Sequence, residues 1–228
     1  MTTPTAIEPE RSSRRAGARA AAPLAVAVLG FGVSFGVLAR ASGMGTVAPI
    51  LMSATTFAGA AQFAAVSVLG AGGSVLAAFG AAALLNSRYI PIGISVAPEL
   101  GGSLPRRVAR AQLVVDESWA ISHRGGGRFD RRRLVGAGLV LYAGWVGGTA
   151  MGVFGGEALG DPAKLGLDAA FPALFLGLLA GQVKSRPAAA ASLLGAAIAL
   201  VLVPIAPPGI PIIAAAAACL IGLRGGRT

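Results

Sequence analysis

The chain is poor in most of what a soluble enzyme uses. Its 228 residues hold one cysteine, one histidine and nine acidic residues, and only 12% are charged. An ordinary soluble domain carries about 25% charged residues. The lone cysteine, Cys219, lies in an apolar run, so no disulfide framework exists and the redox compartment is not encoded. The lone histidine, His123, lies in a basic loop, which leaves no Ser–His arrangement within an apolar segment. Acidic residues are too few and dispersed to converge on a metal, and no Walker-type phosphate loop occurs. Neither an enzyme nor a bound cofactor is expected. Aromatics make up 6%, whereas glycine alone contributes 34 residues, a balance that suits close helix packing in lipid.

What remains is apolar. Hydrophobic residues make up 55% of the chain and the mean hydropathy is +0.74. The net charge of +10 comes from basic residues, nearly all arginine, clustered at the ends of apolar segments. Nucleic-acid binding would gather them on one face among aromatics; charge at segment ends instead sets membrane orientation. The fold class expected is all-α, a polytopic membrane helical bundle of six to seven transmembrane helices with one or two partial or broken helices. A basic cytoplasmic tail (1–19), a single transmembrane domain (20–224) and a short C-terminal tail (225–228) are expected.

The first apolar segment spans about Ala20–Ala39, long enough at ~30 Å to cross the hydrocarbon core. Ser13-Arg14-Arg15 before it resembles a twin-arginine signal, but further spans follow. The second, Thr46–Leu69, contains Thr55, Thr56, Gly59 and Gln62, and the third, Gly72–Ala97, contains Asn86, Ser87 and Arg88. Val108–Ser122 is short for a span and carries Asp116 and Glu117; Leu134–Phe154 is full length. A helix from Asp161 to about Gln182 contains Asp168 and Pro172, and apolar runs at Ala188–Val203 and Ile210–Leu223 follow.

Loop charge separates two topologies. If Thr46–Leu69 enters and leaves by the same side, 16 of the 19 basic residues face the cytoplasm; if it, the third segment and Val108–Ser122 all cross, Arg106, Arg107 and Arg110 move outside and 13 remain. The positive-inside rule favours the re-entrant arrangement, and both schemes leave both termini cytoplasmic.

Arg88 carries the chemistry. A guanidinium near the middle of a span costs several kcal/mol unless it is paired or hydrated. The sequence places Asn86–Arg88 in one continuous helix, and Pro91 is expected to break that helix locally by freeing the carbonyl of Ser87. Pro172 would likewise free that of Asp168. Broken helices with free backbone groups are how secondary transporters hold small zwitterions; a simple kink satisfied by neighbouring hydroxyls is the alternative. Gln62, Asn86 and Arg88 are therefore the candidate substrate-binding residues. Asp116, Glu117 and Asp168 are candidates for ion coupling or a buried ion pair, and Pro91 and Pro172 for helix breaks.

Four motifs occur in order: Phe57-Ala-Gly-Ala-Ala-Gln62-Phe63, Leu84-Leu-Asn86-Ser-Arg88-Tyr89, Val115-Asp116-Glu117-Ser-Trp-Ala120 and Gly166-Leu-Asp168-Ala-Ala-Phe-Pro172-Ala-Leu-Phe175. Together they resemble the AzlC family of branched-chain amino acid exporters, over nearly the whole chain after Ala20. The resemblance implies a bacterial inner-membrane permease exporting leucine, isoleucine or valine with a small membrane subunit of the AzlD type. Tyr89 stands where that family commonly has histidine, so a proton-relay role of that histidine does not carry over to this chain. Another small organic solute, or a non-transporting scaffold subunit, are the alternatives.

Overall fold

The computed structural model describes residues 13–159, 176–177, 179–180, 183 and 185–219. Asp168 and Pro172 lie outside the described residues, as does most of the helix expected from Asp161 to Gln182. Among the described residues the secondary structure is helical, apart from one isolated bridge between His123 and Phe129.

Two long helices form the spine. Helix α1 (Arg14–Ala41) starts at Ser13, whose Oγ accepts from the amide of Ala16 at 3.0 Å, and α8 (Arg131–Leu159) starts at Asp130, whose Oδ1 accepts from the amides of Arg132 and Arg133. Both are long and apolar enough to cross a membrane. They run parallel, because Gly136 meets Arg14, Gly144 meets Ala25 and Gly152 meets Val33 along their shared seam. Arg14, Arg15, Arg131 and Arg132 therefore lie at one end of the bundle, here the basic end.

The expected segment Thr46–Leu69 is two helices, α2 (Val47–Thr56) and α3 (Gly59–Gly70). A Cβ on Gly70 would lie 2.8 Å from Ser42 Oγ, so α3 finishes beside the loop that begins α2. Its opposite end lies deep in the bundle, where Gly59 packs on the Trp145 ring. The pair is thus a hairpin that enters from the far end and returns to it. At its tip Phe57 has φ +43°, the left-handed region that costs a bulky residue roughly 1–2 kcal/mol. Burial of the ring against Tyr142, edge-on at 5.1 Å, offsets that strain.

Helices α4 (Val75–Asn86) and α5 (Tyr89–Leu100) run from the far end to the basic end. They are bent by 51°, whereas the sequence predicts one continuous helix. The break falls at Ser87-Arg88 rather than at Pro91. Ser87 Oγ donates to the carbonyl of Leu84 at 2.7 Å, and the carbonyl of Ser87 itself accepts from Ile90 N at 3.0 Å. Pro91 is the third residue of α5, where a missing amide costs little, so it starts the second half instead of breaking the first.

Val108–Ser122, expected as one element, is also two. Helix α6 (Leu104–Ala111) lies at the basic end, where Arg110 donates to the carbonyls of Leu100 and Gly101. Helix α7 (Asp116–Ser122) begins inside the bundle and returns to the basic end, where Asp130 N donates to the carbonyl of Ser122 at 2.8 Å. Ser118 Oγ accepts from Val115 N at 2.9 Å and fixes this turn. Helix α9 (Arg186–Leu202), the short α10 (Ile210–Ala215) and a 3₁₀ turn (Ala216–Cys219) complete the described residues. Among these residues two helices meet the length and hydropathy of a span, or three if the bent α4–α5 pair is one span. Exposed apolar side chains such as Leu76 (79%) and Phe79 (70%) lie along α4, as expected of a surface solvated by lipid.

Candidate functional site

Helices α6 and α7 make a second hairpin, from the basic end, and its turn touches the tip of α2–α3. Gln112, just past α6, donates from Nε2 to the carbonyls of Ala54 (3.2 Å) and Thr55 (2.8 Å), and Tyr142 Oη donates to Ala54 as well (2.8 Å). These are among the last carbonyls of α2, which have no partner within their own helix. The break at Phe57 is thus held by side chains from α8 and the other hairpin.

Where the tips meet the α4–α5 break there is a cavity of about 180 Å³. Drug-sized sites run to roughly 300–1,000 Å³, so this one suits a smaller solute. One wall is apolar, from Leu24, Val28 and Phe31 of α1 with Leu141 and Trp145 of α8. The other is made of chain breaks: Phe57, Gly59 and Ala60 from the first hairpin, Arg88 and Tyr89 from the bend, Val115, Asp116 and Glu117 from the second hairpin. Each of these breaks is the start of a helix, so the positive dipole ends of α3, α5 and α7 border one space.

Charge is concentrated on one side. Arg88 Nη2 lies 3.0 Å from Asp116 Oδ2, with the two side chains 37% and 38% exposed. The guanidinium also lies over the ring of Tyr89, 5.2 Å from its centroid, which is within reach of a cation–π attraction. Its Nε is buried and makes no hydrogen bond to any described residue. Glu117, next along α7, lines the same cavity.

The remaining sequence candidates are placed differently. Gln62 is fully buried behind the cavity wall. Its Oε1 accepts from Trp145 Nε1 (2.9 Å) and from Ala58 N (3.3 Å), and its Nε2 donates to Ser53 Oγ (2.9 Å). Ser53 in turn shares a hydrogen bond with Thr149 at 2.8 Å. This network joins α2, α3 and α8 and orients the Trp145 ring that faces the cavity. Asn86 ends α4, half-buried, and is not among the residues lining the cavity. Sequence reasoning missed Trp145, Val115 and the α1 wall; a tryptophan within a glycine-rich helix of so aromatic-poor a chain was the available signal.

Replacing Gln62 by leucine keeps much of the volume but strands the Trp145 indole N–H and the Ala58 amide. Each buried orphan costs about 1–3 kcal/mol. Gln62→Leu is expected to destabilise the purified protein by about 2–3 kcal/mol, read as an earlier thermal transition in tryptophan fluorescence. An unchanged transition would mean that the network is not what holds the first hairpin.

A family profile described as "AzlC protein" matches residues 23–159, which include the cavity residues named above. A relative from Archaeoglobus fulgidus, described as an uncharacterized membrane protein, is 36% identical over 180 residues, covering 78% of this chain and 79% of its own. One from Haemophilus influenzae with the same description is 30% identical, covering 78% and 75%. The inner membrane protein YgaZ of Escherichia coli is 26% identical, covering 79% and 78%. No solved structure matches the chain significantly.

Proposed function

The chain belongs to the AzlC family of membrane proteins, and from that premise we propose that it is a secondary exporter of branched-chain amino acids. In this reading the cavity at the three chain breaks holds the solute, and a small AzlD-type subunit completes the exporter. The observation that carries the reading is the convergence of three helix starts, one arginine and an apolar wall on a single small space. An amino acid presents a carboxylate, an ammonium and an apolar side chain. Arg88 and the positive ends of the helix dipoles suit the first, Asp116 and Glu117 the second, and the wall from Leu24 to Phe31 the third. Glu117 and Asp168 are the candidate coupling acids.

The protein would lie in the cell's inner membrane with its basic end, and so its N-terminus, in the cytoplasm. Supporting this orientation, Arg110 borders the same cavity as Arg14, Arg15, Arg131 and Arg132. The re-entrant topology with the larger cytoplasmic charge excess has that arrangement.

The test is counter-flow in vesicles loaded with leucine, isoleucine or valine, with and without the small subunit. Uptake of labelled leucine driven by the internal pool is expected, and a panel of other amino acids would define the range. Failure of every member of the panel, with both subunits present, would leave the scaffold reading.

A further inference from the structure

A second site lies at the basic end, away from the solute cavity. Arg14 and Arg15 of α1, Arg110 of α6, and Arg131 and Arg132 of α8 border a cavity of about 530 Å³. No acidic residue is among the described residues that line it. Glu99 and Asp130 lie on the far side of Arg131 and Arg132, and Asp130 is already engaged by Arg124 and by two backbone amides. Like charges gathered in this way repel unless an anion sits among them.

The cavity continues into an apolar groove. Arg14, Arg110 and Val135 border both; the groove adds Leu113, Leu139 and Tyr142. Along α8, the distance from Arg131 to Tyr142 is ~16 Å at the helical rise. One leaflet of the hydrocarbon core is ~15 Å deep. Helix α6 forms one edge of the groove. Arg106 and Arg110, four residues apart, line the groove, while Leu104 and Val108, also four apart, are 71% and 61% exposed.

We propose that this is a binding site for an anionic phospholipid, with its phosphate among Arg14, Arg15, Arg131 and Arg132 and one acyl chain along Leu139 and Tyr142. A free anion would use the arginines but not a leaflet-deep apolar groove. The site stands independently of the solute assignment, since it needs only a membrane and its own residues.

The full-length protein in neutral detergent, titrated with a fluorescent phosphatidylglycerol and with the phosphatidylcholine of the same chains, tests this. A preference of at least roughly tenfold for the anionic lipid is expected. Arg14→Gln with Arg131→Gln should lose it, at roughly fivefold per arginine. Arg128→Gln with Arg186→Gln removes the same charge elsewhere and should keep it. Leu139→Trp fills the exposed groove without touching an arginine and should weaken both lipids. Equal loss in the two double variants would overturn the site in favour of diffuse surface charge. Displacement of the lipid by millimolar inorganic phosphate, with Leu139→Trp silent, would overturn it in favour of a free anion.

Discussion

Arg88→Ala is expected to reduce leucine counter-flow to background while most of the protein remains in the membrane. The two effects separate because the Arg88–Asp116 pair is partly exposed to the cavity, at 37% and 38%. Pairs open to water contribute about 0–1 kcal/mol to stability, whereas fully buried ones cost about 3–5 kcal/mol when one partner is removed. This pair lies between those limits, so abundance should fall without the fold being lost. A desolvated contact between a guanidinium and a solute carboxylate, by contrast, is worth about 3 kcal/mol, which is more than roughly 100-fold in transport. The charge swap Arg88→Asp with Asp116→Arg distinguishes the roles. If Arg88 serves only its partner, the swap restores transport; if it meets solute, the swap restores abundance and leaves transport dead. We expect the second. Normal counter-flow in Arg88→Ala would remove Arg88 from the site altogether.

The elements legible in the sequence are those whose signal is local or additive. The apolar run expected from Ala20 lies within α1, which begins six residues earlier at Arg14, inside the expected tail; α8 begins three residues before the expected Leu134. Counting arginines favours a second segment that returns to the side it entered from, and α2–α3 is a hairpin whose two ends lie together. Arg88 and Asp116 both stand out in the sequence, and they meet. The turns that build the cavity are not legible. Phe57 adopts a left-handed backbone against its own propensity, because Gln112 and Tyr142, remote in sequence, take the carbonyls that the turn leaves free. Pro91 is the strongest local breaker near Arg88, yet the bend falls before it, at Ser87, whose hydroxyl takes the carbonyl of Leu84. Gln62 reads as a ligand because a polar residue in an apolar run invites that reading; its partners come from two other helices and use it as a structural crosslink.

Gly152→Leu is expected to remove the protein from the membrane fraction, or to leave it aggregated after extraction. On α8, a Cβ at Gly148 would overlap the carbonyl of Leu29, and one at Gly152 that of Val33. The relation is reciprocal: a Cβ at Gly32 of α1 would lie 2.7 Å from the carbonyl of Trp145. The two backbones are therefore in contact along several turns, the arrangement that small residues spaced by four permit in lipid. Overpacking an ordinary core costs about 1–3 kcal/mol because side chains move aside. Here the obstacle is backbone, so the helices must part along the whole seam and the cost should exceed that range. Even Gly152→Ala should be harmful, since one methyl suffices for the overlap. Gly147→Leu is the control: Gly147 is exposed and a Cβ there meets nothing within 4 Å. Because the cavity lies between the α1 wall and Trp145, any variant that survives with parted helices should also lose counter-flow. Equal abundance and transport in Gly152→Leu and Gly147→Leu would show that the seam is not needed, and the parallel α1–α8 spine would have to be abandoned with it.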